Sequence, residues 1–136
     1  MVISTSAILL YSIVGAVVLI YFPFLAVGYA RTRLGYNIHA PRTMMEKLPN
    51  YAKRANWAHQ NSFETFMVFA AAAFMAYVTG VDSIYGAFAA ISFLAARFLY
   101  SLFYIFDLPI GRSLMFGVGS FCITTLFILS FLAINS

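Results

Sequence analysis

The sequence predicts an all-α membrane protein, a bundle of four transmembrane helices. The chain is 63% hydrophobic and only 9% charged, whereas ordinary soluble domains are about half apolar and about a quarter charged. Its apolar residues form continuous runs and do not show the alternating pattern of membrane barrel strands. Helices satisfy their own backbone hydrogen bonds in lipid, so the runs favour helices. The length of 136 residues suits one domain, residues 1–136.

The first predicted helix covers residues 6–30 and ends where Arg31 and Arg33 begin the next segment. It carries no charge and is long enough to cross a bilayer. It lacks the basic flank of a signal peptide, so we expect it to be a retained helix. Pro23 lies inside this run and is expected to kink it, because proline removes a backbone donor.

The remaining predicted helices cover residues 51–79, 83–106 and 113–134. A long polar segment, residues 34–50, connects the first helix to the second, and short turns make the other two connections. Within the long segment, Thr43 and Glu46 have the spacing of a capping box, which predicts that a helical turn starts there. Four crossings place both termini on the same side of the membrane.

The basic residues predict which side of the membrane each connection faces. Six of the eight lie in or beside the first connection, and Arg97 and Arg112 flank the third. By the positive-inside rule these connections are cytoplasmic, and both termini are periplasmic or lumenal. The net charge of +4 is explained by this orientation and by contact with anionic membrane lipid. It therefore does not indicate a nucleic-acid partner.

Polar side chains inside membrane helices are costly and often functional. Two helices carry groups of them at spacings that place each group on one face: Arg54, Asn61 and Glu64 on the second helix, and Arg97, Tyr100 and Tyr104 on the third. A carboxylate near lipid needs a cation or hydrogen-bond donors. We expect Arg97 to be the partner of Glu64, within the chain or from a neighbouring subunit.

Structural explanations of the same residues remain open. An ion pair that locks the bundle explains Glu64 and Arg97 about as well as a functional role does. An interfacial aromatic belt explains the two tyrosines better than a functional role does. His59 and Gln60 are expected at the interface. Neither histidine has a cluster of metal ligands at suitable spacing, so no metal site is predicted. The single cysteine, Cys122, is expected to be a small buried hydrophobe.

Two sequence segments resemble the MAPEG family, the membrane-associated proteins in eicosanoid and glutathione metabolism. The first is Arg54-Ala-Asn-Trp-Ala-His-Gln-Asn61-Ser-Phe-Glu64, and the second is Arg97-Phe-Leu-Tyr100-Ser-Leu-Phe-Tyr104. The specific elements are Asn-x-x-Glu on the second helix and Arg-x-x-Tyr-x-x-x-Tyr on the third. The resemblance covers nearly the whole chain, and the bacterial members are the most similar.

The resemblance implies a homotrimer with glutathione bound between subunits near the cytoplasmic face. It implies that Asn61 and Glu64 bind the glutathione peptide, that Arg97, Tyr100 and Tyr104 shape the pocket, and that Arg31 meets a carboxylate. It also implies that Arg112 stabilises the glutathione thiolate, although the preceding turn varies in length. Such an enzyme would attack a lipophilic electrophile or reduce a lipid hydroperoxide.

The chain departs from the family pattern at Trp57, where many members have an arginine that helps to hold glutathione. Arg54, one turn earlier, is a candidate replacement. The departure keeps a second hypothesis open, a non-catalytic member that binds lipid, another thiol or a partner protein. A third hypothesis, a small four-helix exporter, is disfavoured because such proteins place their glutamate in the first helix, which has none here.

Overall fold

The computed structural model describes residues 2–136, which form helices joined by short connections. Four helical segments are long and apolar enough to cross a membrane: Thr5–Leu34, Asn50–Val78, Ile84–Ile105 and Pro109–Ile134. The predicted all-α architecture with four membrane-spanning segments is therefore confirmed.

The helices are α1 (Thr5–Tyr21), α2 (Phe24–Leu34), α3 (Asn50–Val78), α4 (Ile84–Ile105) and α5 (Pro109–Ile134), with a 3-10 helix at Pro41–Lys47. Helices α3 and α4 begin and end within one residue of the predicted bounds, residues 51–79 and 83–106. At one end of the bundle α2 and α4 end while α3 and α5 begin. We call this the basic end, because all the basic residues lie on this half of their helices or in its connections.

Pro23 interrupts the first membrane segment and divides it into α1 and α2. At the break the backbone hydrogen bonds join residues three apart instead of four, from Leu25 N to Phe22 O and from Ala26 N to Pro23 O, both at 3.2 Å. The carbonyl of Ile20 is bonded instead by the His59 ring, with Nδ1 2.7 Å from the oxygen. His59 therefore satisfies a backbone carbonyl that the break at Pro23 leaves without its helical donor. The expectation that His59 lies at the membrane interface did not include this role.

Helix α2 continues to Leu34, so Arg31 and Arg33 lie in its last turn and not after it. Cations are favoured there because the carboxyl end of a helix is partly negative. The following 3-10 helix begins at Pro41, before Thr43. The Thr43 hydroxyl donates to the carbonyl of Ala40 at 2.7 Å. A helical turn is present, but the prediction that a capping box starts it is wrong.

Helix α5 begins at Pro109, four residues before the predicted start at residue 113. Proline suits the first turn of a helix, where its missing N–H is not needed. Arg112 therefore lies in the first turn of α5. Gly111 lets this turn approach α4 closely, because a Cβ atom added there would lie 2.8 Å from Cδ2 of Phe103.

The core of the bundle combines small residues with one aromatic stack. Phe69 of α3 and Phe93 of α4 lie parallel, with ring centroids 3.8 Å apart, and both are buried. Alanines such as Ala72 and Ala90 surround them and let the helices approach. A second buried cluster joins α2 to the start of α3 through Val27, Ala30, Leu48, Ala52 and Ala55. It holds the basic end together.

Candidate functional site

Arg97 lies at the centre of a polar group between α3 and α4. Its side chain is only 3% exposed. Its Nη2 donates to Asn61 Oδ1 at 2.9 Å and to Ser62 Oγ at 3.0 Å. Its guanidinium carbon lies 3.9 Å from the centre of the Tyr100 ring. Arg97 is thus held by two neutral acceptors and one aromatic face.

The expected ion pair between Arg97 and Glu64 is not formed within residues 2–136, since Arg97 bonds Asn61 and Ser62 instead. Both acceptors lie on α3 facing α4, whereas Glu64 is exposed. The prediction placed Arg97 next to the correct face of α3 but gave it the wrong partner within the chain. A pairing with Glu64 of a neighbouring subunit stays a prediction.

Two tyrosines and two arginines form a continuous stack along the end of α4. Below Arg97, the Tyr100 and Tyr104 rings meet edge to face, with centroids 5.6 Å apart. The Arg112 guanidinium carbon then lies 4.5 Å from the centre of the Tyr104 ring. Each cation rests on an aromatic face, which stabilises a guanidinium in a partly dry place. A cavity of about 280 Å³ opens here and is lined by Tyr100, Tyr104, Arg112, Ser113 and Phe116.

Glu64 lines a second cavity, of about 360 Å³, between α3 and α5. Five of its eight lining residues are polar: Asn61, Glu64 and Thr65 from α3, and Ser120 and Thr124 from α5. Phe116 borders both this cavity and the one at Arg112. The two cavities are therefore neighbours, with a carboxylate in one and a guanidinium in the other.

Arg31 lies on a different surface, between α2 and α3. Its guanidinium carbon is 5.5 Å from the centre of the Phe24 ring. Its Nε is buried without a hydrogen-bond partner among residues 2–136. It lines a cavity of about 550 Å³ together with Arg42, Asn56 and His59. A single chain thus does not bring Arg31 together with Glu64 and Arg112.

Arg54 and Trp57 occupy the start of the α3 face that carries Asn61. Arg54 Nε donates to the carbonyl of Ile105 at 3.1 Å, which caps the end of α4. Trp57 is 45% exposed, and its ring centroid lies 6.4 Å from that of Tyr104. Trp57 therefore adds an exposed aromatic ring beside Tyr104 instead of a cation.

Several lining residues were not predicted from the sequence, namely Ser62, Thr65, Ser113, Phe116, Ser120 and Thr124. The only sequence signal for the α5 hydroxyls is the spacing of residues 113, 120 and 124, which places them on one face of an apolar helix. Phe116 carries no such signal, since an apolar residue in a membrane helix is unremarkable by itself. Among the residues described, no group of histidine, cysteine and carboxylate side chains fits a metal ion.

The fold and the site define a multi-pass helical membrane protein with a polar, arginine-containing and aromatic site at one end of its bundle. The family model of the MAPEG family matches residues 8–132, so the chain belongs to this family. Membership in this family supports the conclusion that the chain is a membrane protein related to glutathione or eicosanoid metabolism. No curated protein and no solved structure matched the chain.

Proposed function

We propose that the protein is a homotrimeric, glutathione-dependent transferase or peroxidase acting on lipophilic electrophiles or hydroperoxides. The observation that carries the proposal is the stack in which Arg112 rests 4.5 Å from the Tyr104 ring, beside the cavity that contains Glu64. In this arrangement Arg112 faces the thiol, and Asn61 and Glu64 bind the amino end of the peptide. The basic end is cytoplasmic, which agrees with the positive-inside rule.

The trimer is supported by the polar groups that a single chain leaves uncovered in the membrane. Glu64 is exposed on the side of the bundle that also carries Ser120 and Thr124; the two hydroxyls already donate to backbone carbonyls of α5, so Glu64 is the costly group. Ionisable side chains facing lipid are costly, so such groups normally face a protein or a water-filled cavity. A second copy of the chain packed on this side would cover them. It would also supply an Arg31, which lies on the opposite face of α3 in its own chain.

The chemistry begins with the thiol of glutathione, whose pKa near 8.5 leaves only about a few per cent thiolate at neutral pH. A permanent guanidinium charge beside the sulfur favours the anion. Lowering the thiol pKa by about two units takes about 2.7 kcal/mol. Arg112 lies in the first turn of α5. The amino end of a helix is partly positive, so it also favours a thiolate placed beside Arg112.

Two reactions follow from an activated thiolate. With an electrophile, sulfur forms a bond to carbon, and the displaced electron pair leaves with a leaving group or takes up a proton. With a hydroperoxide, the thiolate attacks the O–O bond, which gives an alcohol and a sulfenic acid. A second glutathione then yields the disulfide and water. Both reactions need the lipophilic reactant to reach the sulfur from the membrane.

An ultraviolet difference titration of the purified protein with glutathione tests the proposal at neutral pH. We expect a saturable thiolate absorbance in the unmodified protein and its loss in Arg112→Ala. Arg33→Ala is the matched control, since it removes an exposed arginine from the last turn of α2. A well-folded protein without any thiolate signal, or an unchanged signal in Arg112→Ala, would overturn the assignment.

Trp57 favours a second candidate function, a non-catalytic family member that binds lipid, another thiol or a partner protein. Its exposed ring makes the surface beside Tyr104 more apolar than an arginine would. Thiol-dependent turnover of a lipophilic electrophile by the purified protein decides between the two. Clear turnover ends the second candidate, whereas tight lipid binding with no turnover supports it.

A further inference from the structure

The hydrogen bonds of Arg97 determine which way the amide of Asn61 points. Arginine carries only donors, and it has no acceptor in any protonation state found in proteins. The atom of Asn61 that lies 2.9 Å from Arg97 Nη2 is therefore the carbonyl oxygen, Oδ1. The Thr65 hydroxyl lies 3.5 Å from the same oxygen. The acceptor end of the amide is thus turned into the space between α3 and α4.

The donor end of the same amide is left for the cavity. Asn61 Nδ2 makes no hydrogen bond within the described residues, and it is not among the buried unpartnered atoms. Asn61 also lines the cavity of about 360 Å³ that contains Glu64. Because hydrogen bonds hold the amide oxygen of Asn61 and none engages its nitrogen, the amide presents two N–H donors to a ligand in that cavity.

Glu64 supplies the complementary group one turn further along α3. Residues three apart on a helix have their Cβ atoms about 5–6 Å from one another. When ionised, the carboxylate of Glu64 only accepts hydrogen bonds. This edge of the cavity therefore offers donors at one position and an acceptor at the next. It complements a ligand with a carbonyl or carboxylate oxygen close to an ammonium group, as in the amino-acid end of a peptide.

We propose that Arg97 is a positioning residue that turns the Asn61 amide so that, with Glu64, it recognises the amino-acid end of the ligand. Arg97 acts through Asn61: its Nη2 is bonded to Asn61 and Ser62, and its Nη1 is buried without a hydrogen-bond partner among residues 2–136. The inference rests on the proposed function for the identity of that ligand. It differs from the earlier expectation that Arg97 lines the glutathione pocket, since Arg97 is buried behind Asn61.

The test uses S-hexylglutathione, a thioether whose binding does not depend on forming a thiolate, measured by calorimetry in detergent. Asn61→Asp has nearly the same shape and keeps an acceptor for Arg97, but presents an acceptor to the cavity. We expect its affinity to fall about tenfold or more, since the ligand oxygen then meets no donor. Asn50→Asp makes the same chemical change at the exposed start of α3 and should stay within about twofold of the original affinity.

A pair of substitutions at Arg97 separates positioning from a purely structural role. Lysine is also donor-only, so Arg97→Lys should keep the amide orientation and most of the affinity. Glutamine can accept as well as donate, so Arg97→Gln lets the amide turn over and should weaken binding about tenfold. The loss in Arg97→Gln should appear mainly as a raised KM for glutathione and much less as a lowered kcat, because Arg112 itself is unchanged. Equal affinity in Asn61→Asp, or equal losses in both Arg97 variants, would overturn the proposal.

A second measurement reads the amide directly and does not depend on glutathione. In protein labelled with ¹⁵N-asparagine, the Asn61 side-chain signal is the one that disappears in Asn61→Asp. A water-soluble paramagnetic agent should broaden this signal, since the amide protons face the cavity. Protection from the agent would refute the orientation. If S-hexylglutathione does not bind the unmodified protein, the proposed function fails, while the broadening still decides the position of the amide.

Discussion

The replacement of Gly111 by alanine gives the sharpest test of how the fold positions Arg112. An alanine Cβ would lie 2.8 Å from Phe103 Cδ2 and 3.1 Å from Cγ, against the face of a ring. Carbon atoms in good contact are about 3.5 Å apart, so the ring or the first turn of α5 must move by about 0.7 Å. Overpacking of this kind costs about 1–3 kcal/mol.

The expected result of Gly111→Ala is a lower unfolding temperature together with a weaker thiolate signal. Arg112, which we propose stabilises the thiolate, follows directly, and a misplacement of about 1 Å in a catalytic group can cost about a hundredfold in rate. We therefore expect at least about a tenfold loss of glutathione-dependent turnover. Thermal unfolding in detergent and the ultraviolet titration with glutathione measure the two effects separately.

Gly117→Ala is the matched control, since nothing lies within 4 Å of a Cβ added there. Replacing glycine inside a helix by alanine then stabilises it by about 0.5–1 kcal/mol, so the two substitutions should change stability in opposite directions. Adding Phe103→Leu to Gly111→Ala should relieve the contact and restore part of both losses. A Gly111→Ala protein as stable and as active as Gly117→Ala would refute the reasoning.

Three further predictions concern individual contacts. His59→Leu should lower the free energy of unfolding by about 1–3 kcal/mol, because the Ile20 carbonyl loses its donor inside the bundle; thermal unfolding checks this. Glu64→Gln should weaken S-hexylglutathione binding about tenfold or more by removing the charge that pairs with an ammonium, as calorimetry would show. Phe93→Ala should cost about 3 kcal/mol by removing the ring stacked on Phe69, again measured by thermal unfolding.

Matched controls make these results specific. Gln60→Leu removes an exposed polar side chain next to His59 and should leave the unfolding temperature nearly unchanged. Phe88→Ala truncates a ring that is 70% exposed and should cost far less than Phe93→Ala. Equal losses within either pair, or undiminished peptide binding in Glu64→Gln, would contradict the corresponding prediction.

The sequence alone predicts the number of membrane segments because their signal is local. Continuous apolar runs followed by Gly80 or Asp107 locate α4 and the end of α3, and Pro49 locates the start of α3 ahead of its polar first turns. The spacing of Asn61 and Glu64, and of Arg97 and Tyr100, correctly indicates helix faces that carry polar groups. The spacing of polar residues shows which side of a helix carries them, but it does not show which residues of another helix they contact.

The partners of those faces depend on contacts between distant parts of the chain, which periodicity does not contain. The need of a carboxylate near lipid for a cation predicts Arg97 as the partner of Glu64, but the crossing of α3 and α4 brings Asn61 and Ser62 to the guanidinium. The bond from His59 to the Ile20 carbonyl joins residues 39 positions apart. The start of α5 was placed late because Pro109 and Gly111 also suit a turn.

The length of α3 determines the depth of the site in the membrane. Its 29 residues span about 44 Å, whereas the hydrocarbon layer is about 30 Å thick. At the far end only a short turn follows α3, so most of the excess, roughly 14 Å, extends from the hydrocarbon at the basic end. For α3 aligned with the membrane normal, residues 61 and 64 would then lie just below the boundary between headgroups and acyl chains. A water-soluble reactant and a lipid-dissolved one can each reach this level from the phase in which it dissolves, and neither has to cross the bilayer.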